Sequence, residues 1–241
     1  MPPHLGIAAV YGDAWRIYRL LFRRSVLTAA IVFAGVTVVQ VSSDLTGGQA
    51  AAILFGLVLF VLSIAAPPFV QGALIEIVRN IHEGRPAKPI GALYGRARAR
   101  LWPLVGASVY YALGVLIGLF LLLVPGLLVA SRWALMAPFV VLEDHGVYQA
   151  RDKSAQIVRP LTGRVLWIVL ILFLIGSPSL LVDLFLLKSA IARDVFGFLW
   201  SSLTAPFGAH VFTVVYYRVT DPERPVIDPD VLRWRSVWLG A

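Results

Sequence analysis

Two charged residues lie inside long apolar runs of this chain, and they are the first places to look for chemistry. Arg132 sits in the run 127–142 and Asp183 in the run 165–187. A charge held in the middle of a hydrocarbon layer costs at least about 2.5 kcal/mol unless it is paired or wetted. Counted from the run ends, both residues fall in the outer third of a membrane. The first expectation is therefore an ion pair that locks two helices. The alternative is an anion site, for a headgroup or a substrate, with Arg132 as its cation. Gln71, Glu76, Glu143 and His210 fall toward the opposite end of their runs, and an inner polar cluster is expected there, read first as a satisfied buried histidine with helix-end carboxylates.

Other chemistry finds little support in residue types and spacings. Cysteine is absent, which excludes a disulfide, a thiolate ligand or a thiol nucleophile. The sequence contains no Walker loop, dinucleotide-binding glycine fingerprint, HExxH pair, GxSxG elbow or EF-hand loop. The histidines at 4, 82, 145 and 210 are dispersed over different segments and lack the spacing of a metal site. Ser177, His210 and Asp183 could be assembled on paper into a Ser-His-Asp set, but chance supplies such triples in any apolar chain of this size. The expectation is a protein that is not an enzyme and carries no metal or cofactor.

The elements that must position these residues are apolar helices. Of 241 residues, 59% are hydrophobic and 14% charged, against roughly a quarter charged in a soluble domain. The fold class is read as all-α, a polytopic bundle of six transmembrane helices at about 25–41, 50–78, 101–124, 127–142, 165–187 and 195–219, the first and fourth short and the second longer than a bilayer requires. Residues 221–241 follow as a cytoplasmic tail, whose Trp234 and Trp238 are placed to dock on headgroups. Pro67-Pro68, Pro138, Pro178 and Pro206 interrupt four of the six runs, and broken helices in transporters often line binding sites. Gly114 and Gly118 form a small-xxx-small pair, read as close packing within the chain ahead of a homodimer face.

Between the spans lie amphipathic stretches. In 6–22, Trp15, Tyr18 and Phe22 share one face, and no small-x-small cleavage site follows to make this a signal peptide. In 88–100, Ile90, Tyr94, Ala97 and Leu101 share a side, with arginines 96, 98 and 100 free to snorkel toward phosphates. In 146–159, Ala150, Ser154 and Ile157 oppose Asp152, Gln156 and Arg159. All three read as helices lying along the membrane surface. The order of interfacial helix, span, turn, span recurs three times, and 6–19 aligns with 146–159 without a gap.

Orientation follows from the basic residues. Eighteen of the 21 Lys and Arg flank the same ends of the spans, which places both termini in the cytoplasm by the positive-inside rule. The net charge of +8 lies beside apolar runs, so its expected partners are anionic lipids and not nucleic acid.

The stretch from Val124 to Arg159 carries a resemblance. Pro125, Gly126, Pro138, Glu143, Ala150 and Ser154, with Arg132 among them, resemble the glycerophosphodiester phosphodiesterase membrane domain family and related six-span bacterial membrane proteins. The likeness is most specific over about 124–170 and departs from the pattern at Ala155 and Pro160. The family's soluble phosphodiesterase barrel has no counterpart in this chain, so the resemblance implies the membrane domain and no hydrolase. The functional expectation is a bacterial inner-membrane protein for membrane organisation or for handling or transport of lipid-like molecules, with a partner protein or a homo-oligomer open. A transporter or permease subunit with a polar site at the broken helices comes second, and an intramembrane enzyme acting on lipid headgroups third.

Overall fold

The computed structural model describes residues 5–46, 48–85, 88–182 and 189–227. Helices are α1 (Ile7–Leu20), α2 (Phe22–Leu45), α3 (Gln49–His82), α4 (Ile90–Ala99), α5 (Leu101–Leu121), α6 (Leu123–Arg132), α7 (Met136–Leu142), α8 (Val147–Val158), α9 (Thr162–Leu181) and α10 (Ala190–Thr220). A short 3₁₀ turn, Arg159–Leu161, joins α8 to α9. No strand occurs among the described residues. Six helical stretches are long and apolar enough to cross a membrane, with α6–α7 acting as one and α8–α9 as another. The protein is an all-α polytopic bundle.

The first span is longer than its apolar core implied. α2 runs 24 residues from Phe22, because Arg23 and Arg24 continue the helix instead of ending it. α3 continues through Pro67 and Pro68 to His82. The described part of the fifth span ends at Val182, so Asp183 lies outside the described residues, as do Trp234 and Trp238. The start of the tail folds back onto the bundle, where the Val226 carbonyl lies 3.2 Å from His82 Nδ1.

The turn between the third and fourth spans falls one helical turn earlier than Pro125-Gly126 implied. Chain reversal occurs at Leu122, which is extended at φ −163° and ψ 145°, and Pro125-Gly126 lie in the first turn of α6. Proline suits that position, since its fixed φ is helical and the N–H it lacks would have no partner there. Gly126 answers to a different demand. Its Cα lies 2.7 Å from where a Cβ on Gly118 would stand, so α5 and α6 meet backbone to backbone. Gly114 is covered by the Trp133 ring, which makes the small-residue face of α5 a contact within the chain.

The fourth span is broken rather than merely bent. Pro138 cannot donate to the Ala134 carbonyl and its ring crowds that turn, so the helix stops at Arg132 and restarts at Met136.

The three amphipathic helices share more than amphipathicity. Ala14, Tyr18, Ser25 and Thr28 are buried, as are Leu93, Ala97, Leu104 and Ala107, and Ser154, Val158, Val165 and Ile168. The three sets have identical internal spacing. Within each set, one residue makes the bend into the following span: Leu21 at φ −108°, ψ 14°, Arg100 at −109°, 10° and Leu161 at −114°, 9°. The threefold pattern thus extends to register and to the backbone conformation of the joint.

The packing partners of the arginines correct one expectation. In α1 the buried stripe is Val10, Ala14, Ile17 and Tyr18, while Trp15 and Phe22 remain exposed. The Tyr11 hydroxyl donates to the Ile168 carbonyl at 2.8 Å, and burial pushes its pKa up to about 12. In the second unit Arg96 and Arg100 turn to protein carboxylates, Glu76 and Asp144, and not to the solvent side with Arg98.

Candidate functional site

A cavity of about 470 Å³ opens beside the proline pair of α3. Pro67 and Pro68 have no N–H, so the carbonyls of Ser63 and Ile64 lose the donors that a regular helix would give them four residues on. Both of those residues and both prolines line the cavity. The other walls come from Phe33 of α2, from Ser108, Val109 and Ala112 of α5, and from Ala205, Gly208, Ala209 and Phe212 of α10. Each contribution lies near the middle of its helix, which puts the cavity at the mid-depth of the bundle. All three helical units supply a wall.

Small side chains create the volume. A Cβ built on Gly208 would meet nothing within 4 Å, and alanines at 112, 205 and 209 leave the remaining space. Ser63, Pro67 and Val109 are exposed at the rim, so the cavity opens sideways, at a level where a membrane would present hydrocarbon. No lining residue carries a charge.

Gln71 is the polar side chain at the inner end. It also lines a second cavity of about 140 Å³ that reaches Tyr111, Trp133 and Ala134 at the α6–α7 break. Among the described residues nothing hydrogen-bonds the Gln71 amide. It stands one turn beyond Pro67, as His210 stands one turn beyond Pro206 in α10.

The expected inner cluster of Gln71, Glu76, Glu143 and His210 is distributed over four places. Glu76 is 1% exposed and gathers three cations, with Lys88 Nζ at 3.1 Å, Arg96 Nε at 3.5 Å and Arg79 at 3.8 Å. Glu143 accepts from the Tyr216 hydroxyl at 2.6 Å and faces His145. His210 is fully buried with its Nε2 3.0 Å from Ser25 Oγ. Glu76 takes its cations from its own helix, the following loop and α4, whereas Glu143 reaches across to α10. Neither Lys88 nor Ser25 was marked by any sequence pattern.

Arg132 is the last residue of α6, which begins at Leu123 and covers ten residues, about 15 Å of helical rise. Its Nε is buried without a hydrogen-bond partner among the described residues. Asp183, its expected partner, lies outside them.

The motif residues have structural explanations. Ser154 Oγ donates to the Arg132 carbonyl at 2.7 Å and accepts from the Leu135 N–H at 3.2 Å, which ties α8 to the break. Ala150, one turn earlier, is completely buried and lets α8 approach closely. Among the described residues no three of His, Asp and Glu gather to hold a metal ion. Compared with protein-family models, with curated proteins and with solved structures, the chain matches none.

Proposed function

We propose that this protein binds a lipid-like amphiphile in the mid-depth cavity at the α3 proline pair and hands it on or moves it across the membrane, without chemical conversion. The observation that carries the reading is the sideways opening past Ser63, Pro67 and Val109 into a largely apolar, uncharged chamber. A ligand that enters from hydrocarbon must itself be apolar over most of its surface. The placement of the site supports a mobile occupant over a filler lipid, because binding sites between repeated units are a recurrent transporter design.

In this reading the membrane is a bacterial inner membrane with both termini in the cytoplasm, and Arg19, Arg23, Arg98 and Lys153, all exposed, attract anionic headgroups there. The resemblance of the 124–170 region to the glycerophosphodiester phosphodiesterase membrane domain is compatible with a lipid ligand. The second reading, a permease for a water-soluble solute, draws on Gln71 and its link to the second cavity; it requires an aqueous path to Gln71. Lipid and small-molecule mass spectrometry of the purified protein tests the proposal. One amphiphile class enriched over bulk lipid, and lost in Gly208→Phe, is the expected result. A water-soluble solute retained instead would favour the second reading.

A further inference from the structure

Resting on that reading, we infer that the ligand is an uncharged amphiphile with a free hydroxyl, a diacylglycerol-type or long-chain alcohol, whose O–H is held at the proline pair of α3. The polar inventory of the cavity decides this. Two of its acceptors have no donor within the helix, and the Ser108 hydroxyl and the Gln71 amide, which both donate and accept, stand in the same lining. The Ser63 and Ile64 carbonyls have lost their helical donors to Pro67 and Pro68, and the Gln71 amide oxygen adds a third acceptor within the same wall. Carbonyls without donors are costly where the surround is apolar. A hydroxyl donates to one of them and accepts from the Gln71 amide nitrogen, which satisfies both sides at once.

The same inventory rejects other headgroups. A phosphate or carboxylate would bring charge into a chamber lined by no cation, and it would set oxygen lone pairs against carbonyl oxygens. An ester or ether headgroup without a donor would leave the two carbonyls unpaired. A pure hydrocarbon would leave Gln71 unpaired as well. Tails that exceed the chamber pass out between the exposed rim residues Pro67 and Val109, so the site reads the polar group and one segment of chain, and tail length is left unread.

The test uses the full chain in phosphatidylcholine nanodiscs with diazirine-tagged probes, and crosslinks are mapped by peptide mass spectrometry. The probes are a diacylglycerol, a long-chain alcohol, the methyl ethers of both, and a phosphatidylglycerol. A free hydroxyl probe should label the segments 63–71 and 108–112 about tenfold more than its methyl ether, the effect of one hydrogen bond to a buried acceptor. Whichever hydroxyl probe labels more strongly names the source. Gln71→Leu removes a donor that serves alcohol and ether oxygens alike, so it should lower labelling by both and leave their ratio near tenfold, and Gly208→Phe should remove labelling by every probe. Ala112→Phe fills the chamber from the opposite wall and replaces Gly208→Phe should that variant fail to fold. Equal labelling by ether or phosphatidylglycerol, still blocked by the filling variants, would overturn the hydroxyl requirement and leave the cavity reading standing. Labelling that the filling variants do not block would overturn the cavity reading itself.

Discussion

The Ser154 hydroxyl donates to the Arg132 carbonyl at 2.7 Å. Through the bond it accepts from the Leu135 N–H, one fully buried side chain satisfies both lips of the gap between α6 and α7. Ser154→Ala would strand a carbonyl and an N–H in an apolar setting, at roughly 1–3 kcal/mol. The expected outcome is a clear drop in melting temperature in detergent, and an unchanged melting curve would show that water replaces the hydroxyl at no cost.

Glu76 is the common partner of Lys88, Arg96 and Arg79, and the exposures are unequal. The carboxylate is 1% exposed, whereas Lys88 and Arg96 are 34% and 43% exposed. Each cation keeps water when the carboxylate is removed, but the carboxylate has only its cations. Replacing Glu76 by Ala should therefore destabilise more than replacing Lys88 or Arg96 singly, since the remaining two cations still cover the charge. A Lys88→Ala loss as large as that of Glu76→Ala would contradict this ordering.

Gly118 and Gly163 should behave oppositely. A Cβ at 118 would stand 2.7 Å from the Gly126 backbone, whereas one at 163 meets nothing within 4 Å. Gly118→Ala must push α5 from α6 and destabilise. Gly163→Ala, near the start of α9, should be neutral or gain up to about 1 kcal/mol from helix propensity. The pair is read by thermal unfolding of the two variants side by side.

For topology, six spans with basic ends on one side place Gly48 and Thr220 on opposite faces of the membrane. Reporter fusions at these two positions should give opposite signals, with Thr220 cytoplasmic by the positive-inside rule. Matching signals would mean that the span count is wrong.

Arg132 carries a final prediction, because its Nε is buried and unpartnered among the described residues. If Asp183 neutralises it, Arg132→Ala and Asp183→Ala should each destabilise, and the double variant should lose less than the sum of the two. Additive losses would assign Arg132 to an anion or a lipid phosphate.

The apolar lengths, the spacing of prolines and the one-sided distribution of Lys and Arg were enough to give six helices, their order and three amphipathic segments, because membrane burial acts on composition and period alone. The proline pair at 67–68 stood out as one of four interruptions, and only the packing showed that it lines the cavity while the other three do not. Partner choice was different in kind. Whether Arg96 seeks a phosphate or Glu76, whether Pro125-Gly126 turns the chain or opens a helix, and whether Glu76 and His210 share a cluster all depend on distances between residues far apart in the chain. Local sequence sets what a side chain can bond to; only the packing of α3 against α4, α5 against α6 and α8 against the α6–α7 break decided which partner stood within reach. The chamber belongs to that second class entirely, since Phe33, Ser108 and Gly208 have nothing in common along the sequence and meet only because three helical units bring the middles of their spans together.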